Sequence, residues 1–530
     1  MDISTHKIGA FGRICQAISV FLFIFAIPTI SSPLYNSEAP SAAGEYDYVV
    51  VGSGPGGGTV ASNLARAGYS VLLVEAGDLS NAGSDSARQN RYSHLTWRTK
   101  EGSYRVGRDN PPAGAKLLGF YYPKGSTVGG SSMINQMVTF LPPESDWNYI
   151  ANLTGDQSWS AANMRSVFTR IEHKNYLTKG TAGHGFDGFF QVSMAKAQNV
   201  QNPGLAVLNA AAATFNQQTS QVTTLLNTDP NRADLNRDQT ISIFSLPSKF
   251  NLTLSVNSLV TRALFSSTKC DRKPRATSVE FLTGKSIYKA DPRYNSNNKG
   301  TIKQVTAWKE VIISGGAFNT PQILMLKTNH ALYNERDILV FHGPFVFRGF
   351  WPSNQTNVAL PNDPVGVYGM SMVKMHPQNT AGTVKLTSSN PQDIPDINFN
   401  LSKIGRETDL GAMKDVVTWA RGVYGAIKAP AGPVKLLEPP PGKTKAEDED
   451  WITAQTFGHH PTSTSTIGSD NDPMAVLDSR FRVRGVTGLR VVDASTFPRI
   501  PGVFPVVATF MVGQKGSDTI IEDVKKPDVC

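Results

Sequence analysis

The sequence predicts an α/β fold with a parallel sheet at its start, and four consecutive features carry that reading. Tyr46-Asp47-Tyr48-Val49-Val50-Val51 is a β-branched run of the kind buried on both faces of a sheet. It passes directly into Gly52-Ser53-Gly54-Pro55-Gly56-Gly57-Gly58. Residues Thr59 to Ala67 then place Val60, Leu64 and Ala67 at helical spacing, with Gly68 as the stop. A second strand, Val71-Leu72-Leu73-Val74, ends on Glu75.

Each part of this unit has a physical task. Gly52 permits a tight turn, Gly54 lets the backbone approach a pyrophosphate, and Gly57 lets helix and strand pack closely. The helix N-terminus offers free N–H groups and the positive end of its dipole to that pyrophosphate. Ser53 lies between the two glycines on the same turn. Glu75, about twenty residues on, is placed to accept hydrogen bonds from the hydroxyls of an adenosine ribose. An acid there disfavours a 2′-phosphate, and so NADP. The order strand, glycines, helix, strand, acid predicts a Rossmann-like dinucleotide site, which FAD and NAD share.

The remaining bulk properties exclude several classes. With 530 residues, 40% of them hydrophobic, the chain is long enough for two or three domains or one large interleaved unit. Gly 46 and Pro 33 suit a loop-rich globular enzyme. The net charge is +9, but no Lys/Arg-dense stripe accompanies it; Lys269 to Arg275 reads as a solvated turn, which argues against a nucleic-acid partner. Cys15, Cys270 and Cys530 make neither a disulfide framework nor a metal-binding pair, so no metal is expected. Cys270 and Cys530 are left as a possible pair if the start of the chain is removed.

That start reads as a secretory signal peptide over residues 1–32. Lys7 and Arg13 precede an apolar run from Ala17 to Ile27, and the small residues Thr29 to Ser32 follow. The run is short of the roughly 20 apolar residues that cross a bilayer; an uncleaved signal anchor is the alternative. Four Asn-x-Ser/Thr sequons, at Asn152, Asn251, Asn354 and Asn400, agree with a glycoprotein that is secreted or held in the secretory-pathway lumen. No later stretch has membrane-spanning length.

Further along, Tyr122-Pro123-Lys124-Gly125-Ser126-Thr127-Val128-Gly129-Gly130-Ser131-Ser132-Met133-Ile134-Asn135 resembles the first signature of the glucose–methanol–choline (GMC) oxidoreductases, a family of FAD-dependent enzymes. Asp146-Trp147 and Leu153 to Ser160 resemble its fungal members. Asn251 to Thr261 resembles the strand on which a valine, here Val260, sits beside adenine. Val311 to Met325 is similar to the second signature and reads as a strand, a glycine turn and a helix, with Thr320 as N-cap and Pro321 at the first helical position. Gly458-His459-His460-Pro461-Thr462-Ser463-Thr464 resembles the His-Pro active-site segment. Val476 to Ser495 resembles the last flavin-contacting strand and turn, followed by Pro501 to Pro505 and a closing helix.

The resemblance implies an FAD-binding Rossmann-like domain of GMC type interleaved with an α+β substrate-binding domain. The FAD-binding parts are 45–160, 236–330 and 451–530; the substrate-domain parts are 161–235 and 331–450. It implies FAD held by Gly52, Ser53, Gly54, Gly57, Glu75, Thr127, Gly130, Ser131, Asn135, Gln136, Met137, Val138, Val260, Asp493, Ala494, Phe504 and Pro505. It implies oxidation of a small-molecule alcohol, in the fungal setting a secondary-metabolite alcohol, by hydride transfer to flavin N5. His460 is the base and His459 its local competitor. A histidine suits this role near neutral pH. The electron acceptor, oxygen or quinone, is left open.

Two departures from the family pattern stand out. Where the family offers His or Asn as a second partner for the alkoxide, this chain has Phe504; Thr462, Ser463 and His459 are the candidate substitutes. After Met325-Leu326 the chain runs Lys327-Thr328-Asn329-His330-Ala331-Leu332 and lacks two expected glycine-containing segments, so its middle reads as shortened. These departures keep two other readings open: a non-redox flavin-containing lyase or cyclase, and an inactive shortened paralogue.

In the substrate half, Thr383 to Leu386 and Pro395 to Phe399 read as strands and turns of a sheet beneath a ligand pocket. Glu447-Asp448-Glu449-Asp450 reads as a solvated helix start.

Overall fold

The computed structural model describes residues 44–79, 88–98, 104–106, 116–135, 138–193, 207, 210–211, 233–235, 250–266, 273–291, 293–324, 338–343, 367–401, 403–429, 432–437, 444–456, 458, 460–502 and 504–525. The leader, the three cysteines, Asn354, Gln136, Met137, His459 and the stretch after Met325-Leu326 lie outside them, as do the structural expectations placed there.

A seven-stranded sheet organises the site. Its strands are β1 (Glu45–Val51), β2 (Val71–Val74), β3 (Leu252–Ser255), β4 (Ser258–Ser266), β5 (Arg275–Thr283), β6 (Thr301–Ile313) and β7 (Leu489–Val491). The order is β3-β2-β1-β6-β5-β4, with β7 also on β6. β3, β2, β1, β6 and β7 are parallel, while β4, β5 and the first half of β6 form an antiparallel arm. β6 can serve both because it is long: Thr301 to Thr306 pair with β5, and Val311 to Ile313 pair with β7. The β2 strand is buried at every position, as a near-continuous Val/Leu run in a covered parallel sheet should be.

The helices are α1 (Pro55–Arg66), α2 (Glu144–Thr154), α3 (Ala161–Ile171), α4 (Gly316–Leu324), α5 (Arg406–Gly425), α6 (Lys445–Gln455) and α7 (Pro505–Val524). Among these, α1 and α7 pack together against the sheet, and Val60, Leu64, Val507, Ala508 and Met511 are buried in the same core as the strands. A smaller core forms around Val416, Trp419 and Val423 of α5, with Met370 and Met372 from the strand Gly369–Lys374 packed on it. Among the described residues no helix is long and apolar enough to cross a membrane.

Three local expectations are corrected. α1 begins at Pro55 rather than Thr59, so the glycine run is the helix's first turn and not a loop before it. The stretch 251–261 is two strands, β3 and β4, turned at Asn257 with φ 50°. The acids at the start of α6 are only partly solvated. Thr444 and Glu447 form a capping box, while Asp448 pairs with Arg421 at 2.6 Å and Glu449 with Lys414, both cations on α5. The pieces Thr383–Lys385 and Asp396–Asn398 are the strands expected there, paired antiparallel as a two-stranded sheet among the described residues.

The C-terminal end of the sheet is held by a buried cation. Arg490 on β7 is 2% exposed. It donates to both oxygens of Glu310 on β6 at 2.6 and 2.9 Å, to Asp523 on α7 at 3.0 Å and to the Arg480 carbonyl at 2.8 Å. Burial pushes the Asp523 carboxyl up, but its bonds to Arg480 and Arg490 outweigh this and hold it below the ordinary range. Replacing Arg490 by Ala takes this cation from Glu310 and leaves Asp523 with Arg480 alone, in a largely buried site. Loss of one partner from such a cluster typically costs ~3–5 kcal/mol. Denaturant unfolding of Arg490→Ala should show a loss of that order, and a loss within error of zero would remove Arg490 from this role.

Candidate active site

At the C-terminal edge of the parallel strands lies a cavity of about 620 Å³, within the usual range for ligand and cofactor sites. Gly52 follows β1, Glu75 follows β2, Ser314 follows β6 and Asp493 follows β7 by two residues; all four line the cavity. Open α/β sheets bind ligands at this edge.

The glycine turn is built by close approach. Gly52 has φ +96°, and a Cβ there would meet the Ser314 carbonyl oxygen at 2.2 Å. A Cβ on Gly57 would sit 2.0 Å from the Gly52 carbonyl oxygen and 2.7 Å from Ser314 Cβ. Gly57 is therefore the packing glycine and lies off the cavity wall. Gly54, by contrast, faces open space, with nothing within 4 Å of an added Cβ. α1 starts there with no capping side chain and no acid in its first turn, so its N–H groups and dipole are directed at the cavity.

Hydrogen bonds tie the neighbouring loops to this turn. Glu75 Oε2 accepts from the Ser53 N–H at 2.9 Å and the Ser53 hydroxyl at 2.6 Å, and Oε1 accepts from the Gly77 N–H at 2.9 Å. The Gly129 N–H donates to the same Ser53 oxygen at 3.1 Å. Gly130, at φ +59°, backs onto Gly54, where a Cβ would lie 2.9 Å from the Gly54 Cα. Gly130, Ser131, Asn135 and Val260 line the cavity. Thr127 lies behind the wall, fully buried, its hydroxyl donating to the Asp78 carbonyl at 2.7 Å. Val138 is on the short strand Val138–Thr139.

At the other end, Asp493 organises α4. Its Oδ2 accepts from the Gly316 N–H at 2.7 Å and the Thr320 hydroxyl at 2.5 Å, while Oδ1 accepts from the Ser495 N–H at 2.8 Å. Thr320 is thus inside α4 rather than its N-cap, and Pro321 is interior as well. Pro321 has no N–H to give to the carbonyl four residues earlier. That carbonyl, of Ala317, instead accepts from the Thr464 hydroxyl at 2.7 Å. The proline therefore frees the group that anchors the segment containing His460.

His460, Pro461, Ala494, Phe504 and Pro505 line this end. The His460 ring meets Phe504 edge-on, centroids 5.3 Å apart at 68°, and Phe504 stacks on Phe140 at 5.5 Å and 22°. Phe504 caps α7 without a side-chain hydrogen bond, so α7 presents a second uncapped N-terminus to the cavity. Two of the three suggested substitutes for the missing partner do not reach it: Thr462 and Ser463 bond each other at 2.9 Å and neither lines the cavity, while His459 is outside the described residues.

Sequence reading passed over one feature of the wall. Lys124, inside the quoted first motif, projects into the cavity wall and donates to the Gly315 carbonyl and to Asn319 Oδ1 at 3.1 Å. Asn319 continues to Gln322 at 2.8 Å, and Gln322 donates to the Asp393 carbonyl at 2.9 Å. This chain of polar groups fixes the loop from Leu386 to Pro391, which closes one side of the cavity. The basic residue was legible in the motif; its partners, nearly two hundred positions away, were not.

Residues 46–328 and 377–513 match the GMC oxidoreductase family in its N-terminal and C-terminal halves. The chain belongs to that family, and it is an FAD-dependent oxidoreductase of GMC fold. It is 24% identical to dehydrogenase eriK of Hericium erinaceus, covering 92% of this chain and 96% of that one. It is 26% identical to patulin synthase of Aspergillus clavatus, covering 95% and 98%. Among solved structures it is similar to formate oxidase of Aspergillus oryzae, described in connection with FAD modification, with a TM-score of 0.67, 18% identity and coverage of 92% and 100%. The eriK alignment runs over 602 positions, more than the 530 residues here, so the relative carries segments this chain lacks. The two family matches leave residues 329–376 unmatched between them, where the sequence reads as shortened.

The residues present fit FAD: an open glycine at a helix N-terminus, an acid beyond β2 and a cavity continuing to a second helix N-terminus. Gly57→Ala should disturb this without touching the cavity wall. Its Cβ meets backbone and a buried Ser, and overpacking of this kind typically costs ~1–3 kcal/mol. Purified Gly57→Ala is expected to melt earlier and retain less flavin; wild-type stability with full flavin would show that α1 does not need this approach.

Proposed function

We propose that this protein oxidises an alcohol to a carbonyl compound, with His460 as the base. The observation that carries this reading is the placement of His460 at the far end of the cavity that begins at Gly52 and Glu75. FAD, when bound, supplies the acceptor for the hydride. Gly52, Ser53, Gly54 and the first turn of α1 hold its pyrophosphate, Glu75 its ribose and Val260 its adenine side. Gly130, Ser131, Asn135, Asp493, Ala494 and Pro505 hold the flavin portion. A ring nitrogen of His460 accepts the hydroxyl proton of the substrate, and the anchored segment Pro461 to Thr464 keeps the imidazole in place.

Phe504 removes one polar partner for the developing alkoxide, and hydrogen bonds to charged groups are typically worth ~1.5–3 kcal/mol. His460 then has a larger share of the work, next to an apolar wall made by Phe504. This suits a secondary-metabolite alcohol with an apolar body better than a polyol. The same substitution supports a second reading, acid/base lyase or cyclase chemistry without net redox. Anaerobic mixing with candidate alcohols separates the two, since bleaching of the flavin's visible absorbance reports oxidation. General bases typically contribute a factor of about 10²–10⁴. His460→Ala should slow that bleaching by such a factor while retaining flavin; an unchanged rate would refute the assignment.

We also propose entry into the secretory pathway through residues 1–32, with glycans at Asn152 and Asn251. Both of these residues are exposed. Asn400 is held differently: its side-chain amide donates to the Ala381 carbonyl at 2.7 Å. Peptide mapping of protein secreted by a fungal host should find Asn152 and Asn251 occupied and Asn400 bare. A glycan on Asn400 with the other two empty would reverse this assignment.

A further inference from the structure

Asp146 lies in the first turn of α2 and is 3% exposed, although it lines no part of the cavity. Three groups distant in sequence converge on its carboxylate. Oδ1 accepts from His376 Nε2 at 3.1 Å and from the Arg499 guanidinium at 2.7 Å; Oδ2 accepts from the Gly502 N–H at 2.7 Å. Gly502 has φ +61° and rests on the residues just before α2, where an added Cβ would meet Pro142 and Pro143 at 3.2 and 3.3 Å. Arg499 lies over the Tyr149 ring of α2 at 4.7 Å. Phe140, in the same lead-in to α2, stacks on Phe504.

The stretch from Phe140 to Tyr149 is therefore a seat. It grips Arg499, Gly502 and Phe504 by an ion pair, a backbone hydrogen bond and a ring stack. Phe504 in turn meets His460 and starts α7 at the cavity. His376 brings in the other half of the molecule. It follows the strand Gly369–Lys374, and its carbonyl accepts from Lys374 at 3.0 Å. Lys374 approaches Asp409 of α5 at 3.9 Å, and Asp409 accepts from the Gln378 and Asn379 N–H groups. A single buried carboxylate thus ties the turn carrying Phe504 to the half containing α5.

We propose that Asp146 is a positioning residue for the active-site turn, setting where Phe504 and the start of α7 stand relative to His460. His376 couples that setting to the α5 half of the molecule. In its catalytic consequence this rests on the function proposed above. Asp146 touches no reacting atom and acts only through Gly502 and Arg499. Small displacements of such a turn matter, since a shift of about 1 Å in reacting geometry can cost a factor of about 10².

The test compares wild type with Asp146→Ala, Asp146→Asn and His376→Ala, each purified with its flavin and also stripped of it. Hydrogen exchange of the peptide covering residues 499–506 is the direct readout and needs no turnover. Exchange reports local opening, and Asp146→Ala should speed it by about tenfold in both forms, while peptides from α1 exchange as in wild type. Asp146→Asn keeps an acceptor for Gly502 but loses the charge facing Arg499, so it should fall between. Anaerobic flavin reduction, expressed per bound flavin, should slow by about tenfold or more in Asp146→Ala and be partly restored in Asp146→Asn. A purely structural Asp146 would lower the melting temperature and flavin content but leave the rate per bound flavin alone.

Unchanged exchange at 499–506, or an unchanged rate per bound flavin, overturns the proposal. If Asp146→Ala does not fold, Asp146→Asn and His376→Ala decide. Faster exchange in both supports the proposal, and wild-type exchange in both overturns it. If no alcohol reduces the wild-type flavin, the proposed function fails while the exchange readout still judges the seat.

Discussion

The site depends first on the close approach of α1 to the sheet. Gly57 lies against the Gly52 carbonyl and Ser314, so the helix start, the end of β1 and the end of β6 share one small volume. No side chain fits there. Because α1 is fixed at that point, its first turn and the open face of Gly54 are fixed too, and Gly130 can back onto them. Glu75 and Ser53 then fasten the Gly129 turn to the same place by hydrogen bonds that are almost wholly shielded from water. Buried polar groups of this kind specify geometry because each would be costly to leave unpaired.

The catalytic end is assembled by a different device. Asp493 follows the last strand and gathers the start of α4, while Pro321 within α4 releases a carbonyl that Thr464 takes up. The position of His460 is thereby referred back to β6 and β7 through two short hydrogen-bonded links. Arg490, one strand residue away from the same edge, ties β7 to β6 and α7. The outcome is a cavity bounded by two helix N-termini, both without capping side chains or acids. Such termini favour negative charge.

Much of the first half of the site was legible in sequence, and the reasons are physical. β2 is buried throughout and shows an unbroken apolar run, so its limits coincide with Val71–Val74. Gly52, Gly54 and Gly57 each have a distinct steric role that spacing alone reveals. Less was legible where glycine hides helical structure: α1 starts at Pro55 because packing against Val492 and Ser314 overrides the weak helix propensity of Gly56 to Gly58. The interior Pro321 misled in the same way, since a proline resembles a helix start unless a distant hydroxyl is known to satisfy the orphaned carbonyl. α5, with Leu410, Val416, Val417, Ala420 and Val423 buried, has helical spacing but is interrupted by Gly411, Thr418 and Gly422. The links from Lys124 to Gln322 and from Asp146 to Gly502 join residues too far apart for any local pattern to show them.

The central claim is that the cavity between the Gly52 turn and His460 is a flavin site in this particular chain, shortened middle included. The most direct check is to count FAD in the natively purified protein, by visible absorbance before and after acid release. The account predicts one FAD per folded chain. A folded, cooperatively melting protein that is colourless and takes up no added FAD would contradict it.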